Sequence, residues 1–203
     1  MSSVCRAQNG KVPIPFGGYG YSYWATLNPL DKGSDILLTG GYLTAHQAGG
    51  YDQVRATIGV SATSANPRVY WEVYVNSYSS GAGLGISNRG ESANTNVGQT
   101  TNGWGFILSN VGLTPTYWHG GSGPGYGAVY TAGQYVRFAL DMVAGTLTCY
   151  INNTSYGTMA SGITGTVYPS ISTFGGNPFN YTVNFGATAW AYTPPTGFVG
   201  LHH

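Results

Sequence analysis

Val69-Tyr70-Trp71-Glu72-Val73-Tyr74-Val75 is the stretch on which the fold turns. Side chains on a strand alternate between two faces, so Val69, Trp71, Val73 and Val75 share one side and Tyr70, Glu72 and Tyr74 the other. Tyr135 to Asp141 alternates in the same way, with Val136, Phe138 and Leu140 set against Tyr135, Arg137 and Asp141. Outward from these two lie further short β-like runs at Ile36–Leu38, Val54–Gly59, Gly83–Ser87, Gly103–Leu108, Leu147–Ile151, Val167–Thr173 and Thr182–Phe185. Gly, Asn, Ser and Pro clusters separate them, as turns separate strands. Asn152-Asn153 is a turn signal after Ile151, so 146–151 and the residues after about 155 form a hairpin. No stretch keeps a 3.6-residue period over the length of a helix. Short strands without intervening helices specify an all-β sandwich or barrel.

Composition narrows the class further. Only 6% of the 203 residues are charged, and the net charge is +1. A typical soluble domain carries about 25%. Apolar content is ordinary at 42%, so the chain has the means to build a core, and 33 Gly and 17 Tyr help to fill the positions charges usually occupy. Seven basic residues scattered from Arg6 to Arg137 do not form the clustered patch that nucleic-acid binding requires. No segment is apolar for long enough to span a membrane, and the N-terminus lacks the apolar core of a signal peptide, so export by that route is not expected. Two cysteines, Cys5 and Cys149, make neither a disulfide framework nor a metal site. Cys149, in the run Leu147–Ile151, reads as a small buried residue. Residues 1–22, with Pro13, Pro15, Gly17, Gly18 and Gly20, read as a Gly/Pro-rich N-terminal arm, and 23–203 as one domain.

Several of these motifs resemble a known family. Tyr70-Trp71-Glu72-Val73, Gly85-Ile86-Ser87, Gly103-Trp104-Gly105-Phe106 and the long run Phe138 to Tyr150 are similar, in order, to the strand motifs of SPRY domains. Val167 to Ser172, Val183-Asn184-Phe185-Gly186 and Ala191 to Phe198 continue the series, and the likeness covers about residues 24 to 200. Cys149 stands where the family usually has Phe, and Asn152-Asn153 where it has Asn-Gly. Leu27-Asn28-Pro29 resembles the Trp-Asn-Pro opening of SPRY domains carried by tailed bacteriophages, with Leu27 in place of Trp. The resemblance implies a bent two-sheet antiparallel β-sandwich of the concanavalin A-like type. It also implies a binding module that recognises proteins through loops at one end.

Glycosidases need two carboxylates about 5–9.5 Å apart. The acids here are Asp31, Asp35, Asp52, Glu72, Glu91 and Asp141, and only Asp31 and Asp35 are close in sequence. Glu72 is expected to pair with Arg55 or Arg137, because a partly buried carboxylate needs a partner. His46 and His119 read as loop or surface histidines, and no Gly-x-Ser-x-Gly elbow is present. Gly120 to Gly125 lacks the Gly-Lys-Ser/Thr ending of a phosphate loop. No zinc spacing and no acidic calcium loop stand out. No catalytic residue, metal or cofactor is therefore expected. Recognition remains, and its candidate residues are Tyr117, Trp118, His119 and Tyr126, aromatic groups beside a Gly-rich loop. The competing reading places Tyr117 and Trp118 in a core strand. Ser77 to Gly81 and Arg89 to Asn94 are further loop candidates, the latter equally a plain solvated loop.

The leading expectation is a non-enzymatic bacteriophage virion-surface protein, made in the host cytoplasm without a signal peptide. It would serve as a capsid decoration or tail-fibre tip in adhesion or particle assembly. Its partners would be other virion proteins, a host cell-surface glycan or a host protein, with self-association an open alternative. Nucleic acid is excluded as a partner. A lectin-like glycan-binding module and a soluble peptide-binding adaptor are the alternatives.

Overall fold

The computed structural model describes residues 13–16, 20–47, 49–78, 82–108, 115–173 and 178–203. Strand β1 (Pro13–Phe16) pairs with β2 (Gly20–Tyr23) in a small ladder of their own, within and just beyond the expected arm. Residues 1–12 and 17–19 of that arm, Cys5 among them, lie outside the described residues. The rest forms two antiparallel sheets. One has six strands in the spatial order β10 (Thr116–Trp118), β9 (Gly103–Ile107), β8 (Ala82–Ser87), β14 (Tyr168–Thr173), β6 (Gln53–Ala56) and β3 (Leu27–Lys32). The other has seven, in the order β13 (Thr154–Ala160), β12 (Thr146–Ile151), β11 (Tyr135–Asp141), β7 (Arg68–Tyr78), β15 (Phe179–Asn184), β5 (Thr44–Gln47) and β4 (Ile36–Thr39). Among the described residues there is no helix.

The core lies between the sheets and follows the alternation of the two founding strands. Val69, Trp71, Val73 and Val75 are buried on β7, and Val136, Phe138 and Leu140 beside them on β11. The register sets Trp71 directly opposite Phe138, and their rings stack at 5.2 Å. Each such apolar side chain taken out of water contributes roughly 1.5–3 kcal/mol. The hairpin expected around Asn152-Asn153 joins β12 to β13, with Asn152 at φ 49° and its Oδ1 accepting the Tyr135 N–H at 3.0 Å. Gly145, at φ +65°, turns the chain from β11 into β12, where a side chain would be strained. The Asp141 carboxylate caps the same turn by accepting the N–H groups of Val143 and Ala144.

Strand β5 carries no hydrophobic alternation that marks it in the sequence, and only Ala45 and Gln47 in it are buried. It exists because β4 and β15 pair with its two edges. On the six-stranded sheet, Gly83, Gly85, Gly103 and Gly105 lie on one face, with Gly85 opposite Gly105. This bare stripe lets the segment 88–102 lie flat on the sheet. Val97 N–H donates to Ser172 Oγ at 3.0 Å, and Gln53 Nε2 donates to Ser92 O at 2.7 Å. A side chain at Gly105 would collide with the Val97 carbonyl, and one at Gly103 with the Glu91 carboxylate. Glu91 is thereby buried, while Arg89, Gly90, Ser92 and Asn94 around it stay exposed as in a solvated loop.

Candidate functional site

The four aromatic candidates lie at and beside the β10 edge of the six-stranded sheet. Tyr117 pairs across from Phe106 and Trp118 across from Gly105, so the two project from opposite faces. The His119 ring stacks on Trp104 at 4.9 Å, and its Nδ1 sits 2.8 Å from Gly103 O. Tyr117 lies parallel to His119 at 6.5 Å. Tyr126 meets Phe106 edge-on at 5.8 Å, and its hydroxyl donates to Gly157 O at 2.8 Å. Burial pushes the hydroxyls of both Tyr117 and Tyr126 upward. The structure thus brings Tyr117, His119 and Tyr126 together around Trp104 and Phe106 as a half-buried ring cluster, and it turns Trp118 away from them. Of the other loop candidates, Ser79 to Gly81 lie outside the described residues.

A second feature has the form of a site. A groove of about 480 Å³ opens on the outer face of the seven-stranded sheet, within the size range of ligand pockets. Alternation along β7 sends Glu72, Tyr74 and Asn76 outward. The β15 register sets Thr182 opposite Tyr74 and Asn184 opposite Glu72. Asn76 Nδ2 donates to Thr182 Oγ1 at 2.9 Å and to Asn180 Oδ1 at 3.1 Å. Tyr135, tilted against Tyr74 at 4.9 Å, stands on one side, and the segment 188–191 forms a wall.

That wall is held by two polar side chains. Asn184 Oδ1 accepts the Gly186 N–H at 2.8 Å, while its Nδ2 donates to the carbonyls of Thr188 and Ala189 at 3.3 and 3.1 Å. Glu72, 1% exposed, accepts the Ala191 N–H on Oε2, and the Tyr192 N–H and Tyr70 hydroxyl on Oε1, each at 2.9 Å. Trp190 is consequently fixed edge-on against Tyr70 at 5.0 Å.

The expected ion pair of Glu72 with Arg55 or Arg137 is not formed. Arg137 instead donates to the Tyr70 hydroxyl at 3.1 Å, so that phenol stands between guanidinium and carboxylate. Burial drives the Tyr70 hydroxyl far up, so it stays a donor to Glu72. Arg137 also lies over the rings of Tyr192 at 4.5 Å and Tyr150 at 4.8 Å. Arg55 belongs to the other sheet and bonds Asp31 at 2.7 Å. The backbone N–H groups outcompeted the arginines for Glu72 because they come from the chain that covers it, a segment about 120 residues away in sequence.

Sequence reasoning missed the groove. Its signal was the outward half of the strand pattern, Tyr74 and Asn76 with Thr182, but the residues that make it concave sit in a tail without periodicity. Among the described residues no group of three or more His, Cys, Asp or Glu could hold a metal ion.

A sequence profile of the SPRY domain matches residues 68–188, more than half of the chain. The chain belongs to the SPRY domain family. Solved structures agree on the architecture. The SPRY domain of human HERC1 superposes with a TM-score of 0.65 at 18% identity, over 77% of this chain and 96% of that one. The TRIM65 PSpry domain superposes at 0.64 and 17% identity, over 79% and 88%. Stonustoxin superposes at 0.62 and 22% identity, over 79% of this chain and 27% of that one. This SPRY chain therefore spans about a quarter of the length of stonustoxin. No curated protein matches it in sequence. At these identities the likeness establishes the two-sheet sandwich. SPRY domains are in general non-catalytic modules that bind protein partners. No described helix is long and apolar enough to cross a membrane.

Proposed function

We propose that this SPRY chain is a non-enzymatic recognition module that works on the surface of a bacteriophage virion, as a capsid decoration or tail-fibre tip. The observation that carries the non-enzymatic part is the use made of each acid. Asp31 bonds Arg55, Asp141 bonds Arg68, Asp52 accepts the Asp35 N–H, and Asp35 accepts the Ser34 hydroxyl. Glu72 holds the 191–192 backbone, and Glu91 holds that of Gly98 and Thr100. Five of the six carboxylates thus hold other parts of the fold, while Asp35 is exposed and meets its neighbour Ser34 at 3.3 Å, so the arrangement does not favour the paired-carboxylate chemistry of a glycosidase.

The virion reading is supported by the charge-poor composition. A free protein with almost no charge is poorly protected against self-association, whereas one held by neighbours in a particle has less need of that protection. The Leu27-Asn28-Pro29 opening supports it too, by its similarity to SPRY domains of tailed phages. The aromatic cluster of Tyr117, His119 and Tyr126, with Trp118 on the reverse face, and the groove beneath Trp190 are the two surfaces on which a virion protein or a host surface molecule would be held. Mass spectrometry of gradient-purified particles of the encoding phage tests the placement. The chain is expected at a fixed ratio to the major capsid or tail protein, and its absence from purified particles overturns the reading.

A further inference from the structure

We infer that the groove on the outer face of the seven-stranded sheet binds a short neutral saccharide. The inference deepens the recognition reading above and rests on it, though not on the virion placement. The first reason is charge. Glu72, which closes the floor, has both oxygens occupied by three donors from the protein, and Arg137 is buried behind Tyr70. The remaining lining, which includes Leu43, Tyr74, Asn76, Tyr135, Thr182 and Trp190, contains no Asp, Glu, His, Lys or Arg. A charged ligand would lose its hydration there without gaining a counter-charge.

The second reason is the kind of uncharged surface. Tyr74, Tyr135 and Trp190 are half-buried aromatic groups, each with a polar atom at its edge, and they surround the Asn76 amide and Thr182 hydroxyl. A pyranose ring presents a flat array of C–H bonds on its face and hydroxyls at its rim. Rings and amides so mixed match both at once. A peptide would want either an open strand edge to extend or deep apolar pockets for its side chains. The groove lies over the faces of β7 and β15, both of which are already paired on either side, so it offers no open edge.

The third reason is preorganisation. Trp190 is wedged against Tyr70 on one side, and a Cβ on Gly186 would reach within 3.0 Å of its Cζ2 on another. The wall carrying it is tied down by Asn184 and Glu72. A ring held in place before binding loses little freedom on binding, which matters for weak ligands such as sugars.

The test is an array of neutral oligosaccharides (glucans, galactans, mannans and their acetamido counterparts) probed with the full chain. Calorimetric titration of the best binder follows, with Trp190→Ala, Asn76→Asp and the remote surface control Val143→Ala. Binding is expected, with a loss of at least about tenfold for each groove variant and a change within about twofold for the control. Asn76 is exposed, so Asn76→Asp folds even if Trp190→Ala does not, and it places a charge where the ligand must be neutral. The inference is overturned if no neutral glycan binds, if only charged glycans bind, or if a correctly folded Asn76→Asp binds as tightly as the native chain. A chain found in virions that binds no neutral glycan would sink this inference and leave the virion placement standing. A glycan-binding chain absent from particles would do the reverse.

Discussion

Glu72→Gln replaces a carboxylate by its isosteric amide at a position that is 1% exposed. In the native protein three donors converge on two oxygens: Tyr70 Oη–H and Tyr192 N–H on Oε1, and Ala191 N–H on Oε2. The amide has one oxygen. If it occupies the Oε1 place it keeps two of the bonds, now neutral, and its NH2 group faces the Ala191 N–H, donor against donor. If it flips, Tyr192 N–H is orphaned instead. In that orientation the Tyr70 hydroxyl can turn to accept from the amide NH2 and donate to Tyr192 O, 3.5 Å away, but the Tyr192 N–H still has no acceptor. One partly buried donor left unmade costs about 1–3 kcal/mol, and weakening the two surviving charge-assisted bonds adds about 1 kcal/mol, so the variant loses roughly 2–4 kcal/mol. For a domain of this size that corresponds to a fall of roughly 5–15 °C in the unfolding midpoint. Thermal melts followed by near-UV circular dichroism measure it, and native-state amide exchange at Ala191 and Tyr192 shows where the loss falls. A midpoint within about 2 °C of native, with exchange at those two amides unaltered, would refute the account of Glu72 as the anchor of the 190–192 wall.

Three further outcomes follow from the same structure. Gly105→Ala is expected to dislodge the 88–102 segment, because its Cβ meets the Val97 carbonyl, whereas Gly133→Ala meets nothing and costs only the roughly 1–2 kcal/mol of a positive φ; equal midpoints for the two would contradict the packing described for the glycine stripe. Burial raises the Glu91 carboxyl against the opposing pull of the Thr100 and Gly98 N–H groups, so the folded state binds its proton more readily than the unfolded chain does. Stability attributable to Glu91 therefore increases as pH is lowered towards its ordinary value of 4.5. Urea titrations at stepped pH should show this rise in the native protein and its loss in Glu91→Gln. Asp141 acts in the opposite sense: burial raises it, but the Ala144 N–H, Arg68 and the Val143 N–H together hold it below its usual value of 3.8, and its contribution is lost only at still lower pH. Finally, Cys149 is fully buried on β12 and burial lifts its thiol far above the usual range. In a Cys5→Ser background it should resist alkylation at pH 8 until denaturant is added, and rapid native labelling would show that β12 is not packed as described.

The order of the SPRY motifs and the alternation at 69–75 and 135–141 were readable from the chain alone, because the two-residue period of a strand is a local property. So were the Gly145 turn and the hairpin at Asn152, each written in one or two residues with special backbone freedom. Burial of Cys149 followed in the same way from its place inside an alternating run. Less was readable of what covers each face. A carboxylate at Glu72 needs a partner wherever the strand is buried, yet two of its partners are N–H groups 119 and 120 residues further on, and no local signal encodes such a distance. Arg55 and Arg137 were equal candidates on paper, and the register put Arg137 across from Glu72 with a phenol between them, and Arg55 in the other sheet. Tyr117 and Trp118, neighbours in sequence, part company because a strand sends them to opposite faces. The chain by itself thus determined the class of fold and the inward half of its strands, since those depend on hydrophobic period. Only the tertiary structure decided the groove, because a concave surface is made by segments that meet through pairing register and long-range hydrogen bonds rather than through adjacency.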